Sequence, residues 1–119
     1  SGSNAMRSAV VLSLAAALLA VVAAPRPALA QDASVQRGER LVKRHCGGCH
    51  AAGRTGRSRE PAAPPLRNLH QRYEPEMLAE GLAEGLLTGH PAMPAFRFGG
   101  RDLRSIILYL DSIQARQAG

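Results

Sequence analysis

The sequence predicts a small all-α domain, and three observations carry that expectation. Three segments place apolar residues at spacings of three and four, the period of one helix face. No segment alternates apolar and polar residues in the two-residue rhythm of a half-buried strand. The stretches between the three are rich in Gly, Pro and Arg, as loops are.

The 119-residue chain divides into three parts. Residues 1–5, Ser-Gly-Ser-Asn-Ala, read as a cloning remnant ahead of Met6. Residues 6–30 have the layout of a secretory signal peptide: a basic Arg7, an uncharged run from Ser8 to Ala24, then Pro25 and the small-residue signature Ala28-Leu29-Ala30. That run is alanine-rich and shorter than the roughly 20 apolar residues of a membrane span. Cleavage after Ala30 is therefore expected, with an uncleaved membrane anchor as the lesser reading. Residues 31–119 form the single folded domain.

Within that domain the first helix is expected from about Ala33 to Cys46, with Val35, Gly38, Leu41, Val42 and His45 on one face. Gly38 costs roughly 1 kcal/mol against Ala inside a helix, so its use should be close approach of another backbone or ring. The second helix is expected to begin at Glu74-Pro75, run through Met77, Leu78, Leu82 and Leu86, and end near Gly89. The third follows Gly99-Gly100 and carries Leu103, Ile106, Ile107, Leu110 and Ile113, the strongest amphipathic pattern in the chain. Residues 51–69 read as one loop and residues 89–96 as a second, short and proline-bounded.

Composition limits how this domain can be held together. Outside the leader the only aromatics are Tyr73, Tyr109, Phe96 and Phe98, and Trp is absent. A domain this short buries a modest fraction of its surface and often depends on a disulfide, a metal or a cofactor. Removing Arg7 and Arg26 with the leader leaves thirteen basic residues against nine acidic ones. This basic balance, without interleaved aromatics and on an exported chain, points to acidic protein partners and away from nucleic acid.

Cys46-Gly47-Gly48-Cys49-His50 is a C-x-x-C-H motif, the attachment signature of c-type haem. Two thiols at this spacing can form thioethers with the two vinyl groups of one porphyrin, and the adjoining histidine then falls where its imidazole can ligate the iron. Other readings exist. A thioredoxin-like redox pair would sit beside βαβ structure, which is absent. A structural zinc site needs four ligands, and there is no second C-x-x-C and no H-x-x-x-H pair. A Cys46–Cys49 disulfide would leave the core unfilled. Motif, export and missing core together favour haem.

With these residues in view, the chain from Val35 to Ile113 resembles the monohaem class I cytochrome c family. Gly38 and Leu41 match its Gly-x-x-Leu, Pro64-Pro65-Leu66 its proline loop, Ala92-Met93-Pro94-Ala95-Phe96 its methionine segment, and Tyr109 its helix-crossing aromatic. The resemblance implies a small cytochrome c-like fold of three main helices wrapped around one haem c. Its covalent anchors would be Cys46 and Cys49, its iron ligands His50 and Met93, and further cofactor contacts Pro64 and Leu66. A proline carbonyl orients the proximal histidine in that family; Pro64 is the matching position and Pro65 the adjacent alternative. Met93 sits in a loop restricted by Pro91 and Pro94, which lowers the entropy lost when the ligand is placed. Met77 is the candidate for core filling, and His90 for a cation closing the preceding helix. His45 and His70 are expected at the surface.

A histidine and a methionine would saturate the iron and raise its potential relative to two histidines, leaving electron transfer as the chemistry. The expected protein is a periplasmic, monomeric electron carrier and not an enzyme. It would meet redox partners that carry acidic docking surfaces, with Arg54, Arg57 and Arg59 either steering them or simply solubilising a loop. Membrane contact would follow only from an uncleaved leader. Two alternatives stand beside this one: a cytochrome subunit of a periplasmic dehydrogenase or oxidase, and a haem ligand sensor or weak peroxidase if Met93 is labile.

Overall fold

A computed structural model describes residues 26–85 and 92–118. The chain separates into two compact units, Ser1–Ala30 and Gln31–Gly119. Of the first unit only residues 26–30 are described, and most of them lie in the opening of a helix. The described residues contain no strand.

Among the described residues three α-helices follow in order: α1, Pro27–His45; α2, Leu78–Glu84; and α3, Gly100–Ser112. Short 3₁₀ segments cover Leu66–Gln71, Pro75–Met77 and Ala115–Ala118. The all-α expectation therefore holds. Helix α1 begins earlier than the apolar face predicted, because Pro27 and the alanines after it suit a first helical turn. It closes on Lys43, Arg44 and His45, favourable residues at a helix carboxyl end.

The second helix departs from expectation at both ends. Proline at its start opens as a 3₁₀ turn, and Gly85 stops it at Glu84 by taking a left-handed φ of 77°. The tighter 3₁₀ turn advances the side chains by about 120° per residue, so the helical period misplaces Met77. That residue is 70% exposed and fills no core. Leu86 to Gly89 and His90 lie outside the described residues.

Helices α1 and α3 meet where Gly38 faces the Ser105 carbonyl and Tyr109. A side-chain carbon at position 38 would stand 2.6 Å from the Ser105 carbonyl carbon and 2.8 Å from Tyr109 Cβ, so only glycine allows this approach. Beside it Arg37 pairs with Asp102 across the two helices, its Nε donating at 2.8 Å. The core gathers Val42 from α1, Leu66 and Leu69 from the first 3₁₀ segment, Leu82 from α2, and Ile106, Tyr109 and Leu110 from α3. Each such aliphatic side chain stabilises the fold by about 1.5–3 kcal/mol when fully buried.

Two polar side chains, Ser105 and Gln114, are buried among the described residues. Gln114, 1% exposed, donates to the carbonyls of Leu66 (3.0 Å) and Leu110 (2.7 Å). Its Oε1 accepts from the His70 amide at 2.9 Å and from His70 Nδ1 at 3.0 Å. All four hydrogen-bonding positions of the amide are thus used, which is what makes a buried glutamine tolerable. It fixes the segment after the two prolines against the end of α3. His70, expected at the surface, is half-buried in this network.

Candidate functional site

The C-x-x-C-H motif continues the end of α1 by a turn. Cys46 N–H donates to Val42 O at 2.8 Å, and His50 N–H donates back to Cys46 O at 2.9 Å. Residues three and four apart on such a turn share a side, so Cys46, Cys49 and His50 are brought together by local geometry alone. Gly47 is required at this point, since a side chain there would strike the Lys43 carbonyl, whereas Gly48 faces open space. Of the two glycines, then, only the first is sterically demanded by the fold.

The loop after the motif is stitched back to it. Ala51 N–H donates to Ser58 Oγ at 3.0 Å, Glu60 N–H to Cys49 O at 3.1 Å, and Leu66 N–H to Ala51 O at 3.0 Å. These bonds bring the prolines beside the histidine. His50 Nδ1 lies 2.7 Å from Pro64 O. A carbonyl can only accept, so Nδ1 carries the proton and Nε2 keeps its lone pair for a metal. Pro65 O is engaged elsewhere, accepting from Asn68 N–H at 3.0 Å, which separates the two proline alternatives.

A cavity of about 430 Å³ opens beside this arrangement, within the size range of cofactor sites. Its walls include Cys46, His50, Pro64, Leu66 and Met93, with Leu82, Ile106 and Leu110 from the core behind them. A second cavity of about 140 Å³ is lined by Cys46, Cys49, His50 and Met93, joining the same residues from the thiol side. Of the six site residues expected from the sequence, Cys46, His50, Pro64, Leu66 and Met93 line the larger cavity, and Cys49 lines the smaller one, which shares Cys46, His50 and Met93 with it. Met77 lies on its rim, exposed.

Cys46 and Cys49 are not bonded to each other, and burial pushes the Cys46 thiol up to about 11. A reactive or zinc-binding cysteine needs the opposite shift, toward thiolate. A protonated sulfur facing an apolar cleft suits attachment to a carbon framework.

Three features went unseen in the sequence. Arg72 and Tyr73 also line the larger cavity, placing a cation and a phenol on its wall, a polar presence hidden in a stretch that reads as loop. His45, expected to face outward, is half-buried and packs edge-on against Phe96 and Phe98 at centroid distances of 5.7 and 5.3 Å. Gln114 carried no local signal, because its partners lie 44 and 48 residues away in the first 3₁₀ segment.

Residues 33–110 match the family model of cytochrome c oxidase, cbb3-type, subunit III, which covers more than half of the chain. The chain belongs to this family of monohaem c-type cytochromes. Its cofactor is covalently bound haem c with iron, and a cytochrome c domain of this kind transfers electrons through that group. No curated protein and no solved structure matches the chain. The cleft of this cytochrome domain fits a haem on its own chemistry: two sulfurs on one edge, an imidazole with a free nitrogen, a thioether, and apolar walls with a cationic patch.

Proposed function

We propose that this protein is an exported carrier of single electrons, with its haem fastened to Cys46 and Cys49 and its iron held between His50 and Met93. The observation that carries the proposal is the meeting of His50 and Met93 on one cleft while Pro64 O accepts the proton-bearing nitrogen of His50. When bound, the haem supplies a one-electron ferric/ferrous couple.

The chain's own residues prepare the site for that couple. Pro64 O fixes the tautomer and orientation of His50, as the outer partners of metal-bound histidines do. Met93 brings a soft sulfur to the same cleft, a ligand that favours the reduced metal. Arg72 and Tyr73 provide a cation and a hydroxyl for the haem propionates. Leu66, Leu82 and Ile106 exclude water from the remainder, which strengthens every electrostatic interaction inside. His50 and Met93 would both hold the iron, which would leave one-electron transfer as the chemistry the bound haem supplies.

Export through a cleaved leader, residues 6–30, follows the notation of a basic residue, an apolar run and a small-residue cleavage signature; the second compact unit begins at Gln31, the first residue after that signature. No described helix is long and apolar enough to cross a membrane. In the periplasm, Arg54, Arg57 and Arg59, all exposed, would draw acidic redox partners to a monomeric carrier.

The test is an optical spectrum and a pyridine haemochrome assay on the processed protein, with acidified organic solvent to ask whether the haem is released. One retained haem, lost in Cys46→Ala/Cys49→Ala, is the expected result. A colourless protein, or a freely extracted pigment, would refute the proposal.

A second reading has a specific observation behind it. The matched family is that of an oxidase subunit, which supports reading the domain as a dedicated relay within a larger complex. Its electron chemistry would be unchanged. Co-purification from the native host separates the two: a subunit travels with its enzyme through size exclusion, whereas a free carrier elutes alone.

A further inference from the structure

Phenylalanine occurs twice in the chain, and both copies lie within five residues of Met93. Neither belongs to the fully buried core. Phe96 and Phe98 stack on each other at 6.0 Å and 27°, half-buried, and both present their rings to His45. The two histidine contacts are edge-to-face, at interplanar angles of 67° and 75°, the arrangement that the aromatic quadrupole favours. His45 is the last residue of α1 and directly precedes Cys46.

The rings therefore join two parts of the site that the backbone keeps far apart. On one side is the helix end that continues into the attachment turn. On the other is the segment that carries Met93. That segment has further anchors on α2: Phe98 N–H donates to Leu82 O at 2.9 Å, and the Arg97 guanidinium donates to Glu84 O at 3.0 Å. Of these anchors the Phe96 ring is nearest in sequence to Met93, with only Pro94 and Ala95, both exposed, between them.

We propose that His45 is a positioning residue, clamping the Met93 segment through Phe96 and Phe98 and so setting how readily that side of the haem opens to an outside ligand. The inference rests on the reading of Met93 as an iron ligand. The smaller cavity is walled by His45, Phe96 and Met93 together, so an outward swing of the Met93 segment pulls against the ring contacts. An outside ligand binds only the open form, and its apparent affinity is reduced by the open fraction. Two ring contacts of ordinary strength hold that fraction down by about tenfold. The clamp thus governs the choice between a saturated carrier and a ligand-binding haem.

Imidazole titration of the ferric, haem-loaded protein tests this, followed by absorbance. His45→Ala should bind imidazole about tenfold more tightly than the parent, while His45→Phe, which keeps a ring, should restore the parent's weak binding. Phe96→Ala, which also removes the His45–Phe96 contact, should tighten imidazole binding in the same direction, and the His45→Ala/Phe96→Ala double variant should fall short of the product of the two single effects, since that shared contact is lost only once. Parent-like binding in both single variants, or additive effects in the double variant, would overturn the clamp. The far-red thioether-to-iron absorption of the parent separates the two ideas: its absence sinks the Met93 reading and the clamp with it. Its presence, with imidazole binding unchanged in His45→Ala, sinks the clamp alone.

Discussion

Replacing Gly38 by alanine adds one carbon at the place where two helices touch. Built on the backbone, that carbon overlaps the Ser105 carbonyl oxygen and lies 2.6 Å from the Ser105 carbonyl carbon and 2.8 Å from Tyr109 Cβ. Unstrained carbon contacts fall at about 3.5–4.0 Å, so α1 and α3 must move apart by roughly 1 Å. The obstacle is main chain and a Cβ, and no rotamer change can remove it. Overpacking of this kind costs about 3–5 kcal/mol, against a gain of about 1 kcal/mol from exchanging glycine for alanine in a helix. The net loss is therefore about 3 kcal/mol, which for a domain of this size lowers the thermal midpoint by roughly 10–25 °C. Thermal and urea unfolding of the haem-loaded protein, read by far-ultraviolet circular dichroism, measure it. Gly100→Ala serves as the control, because a carbon added there meets nothing within 4 Å and sits in the first turn of α3. If Gly38→Ala is as stable as the parent, or gains the increment expected of Gly100→Ala, the close crossing of the two helices is wrong.

Other expectations follow from single contacts. The Tyr109 hydroxyl donates to Ala52 O at 2.7 Å, so Tyr109→Phe should cost about 1 kcal/mol at neutral pH by urea unfolding. Burial holds the Tyr109 phenol above its ordinary 10, so the unfolded chain ionises first; this contribution is complete below pH 10 and is lost as pH rises through the folded value. The fall in stability from pH 9 upward should accordingly be shallower in Tyr109→Phe than in the parent. Gln114→Leu strands the Leu66 carbonyl and the His70 amide in the core and should cost about 2–4 kcal/mol by the same assay, whereas a change below 0.5 kcal/mol would contradict the buried network. Gly48→Ala should leave haem attachment and stability within about 0.5 kcal/mol of the parent, because nothing lies within 4 Å of the added carbon.

What could be read from the sequence was what is local. Helix α3 announces itself because Leu103, Ile106, Leu110 and Ile113 repeat at one period with no proline to disturb them. The attachment turn is legible for the same reason, its three chemical groups lying within five residues. Met77 was misplaced because Pro75 opens a 3₁₀ turn, and a 3.6-residue period no longer states which way a side chain points. The choice between Pro64 and Pro65 needed the loop to close, since the deciding fact is which carbonyl reaches His50. His45, His70 and Gln114 were invisible for a deeper reason. A polar residue is an expected surface residue until its partner is known, and here the partners are dozens of positions away.

The cleft has a bearing on the life of the protein before it ever carries an electron. A void of about 430 Å³, charged at the rate found for cavities in protein cores, amounts to an upper bound of roughly 10 kcal/mol. Small domains possess about that much stability in total. A chain that has not gained its haem is consequently expected to be less stable and easier for a protease to cut. Haem loading and resistance to proteolysis should therefore rise together in a limited-digestion time course.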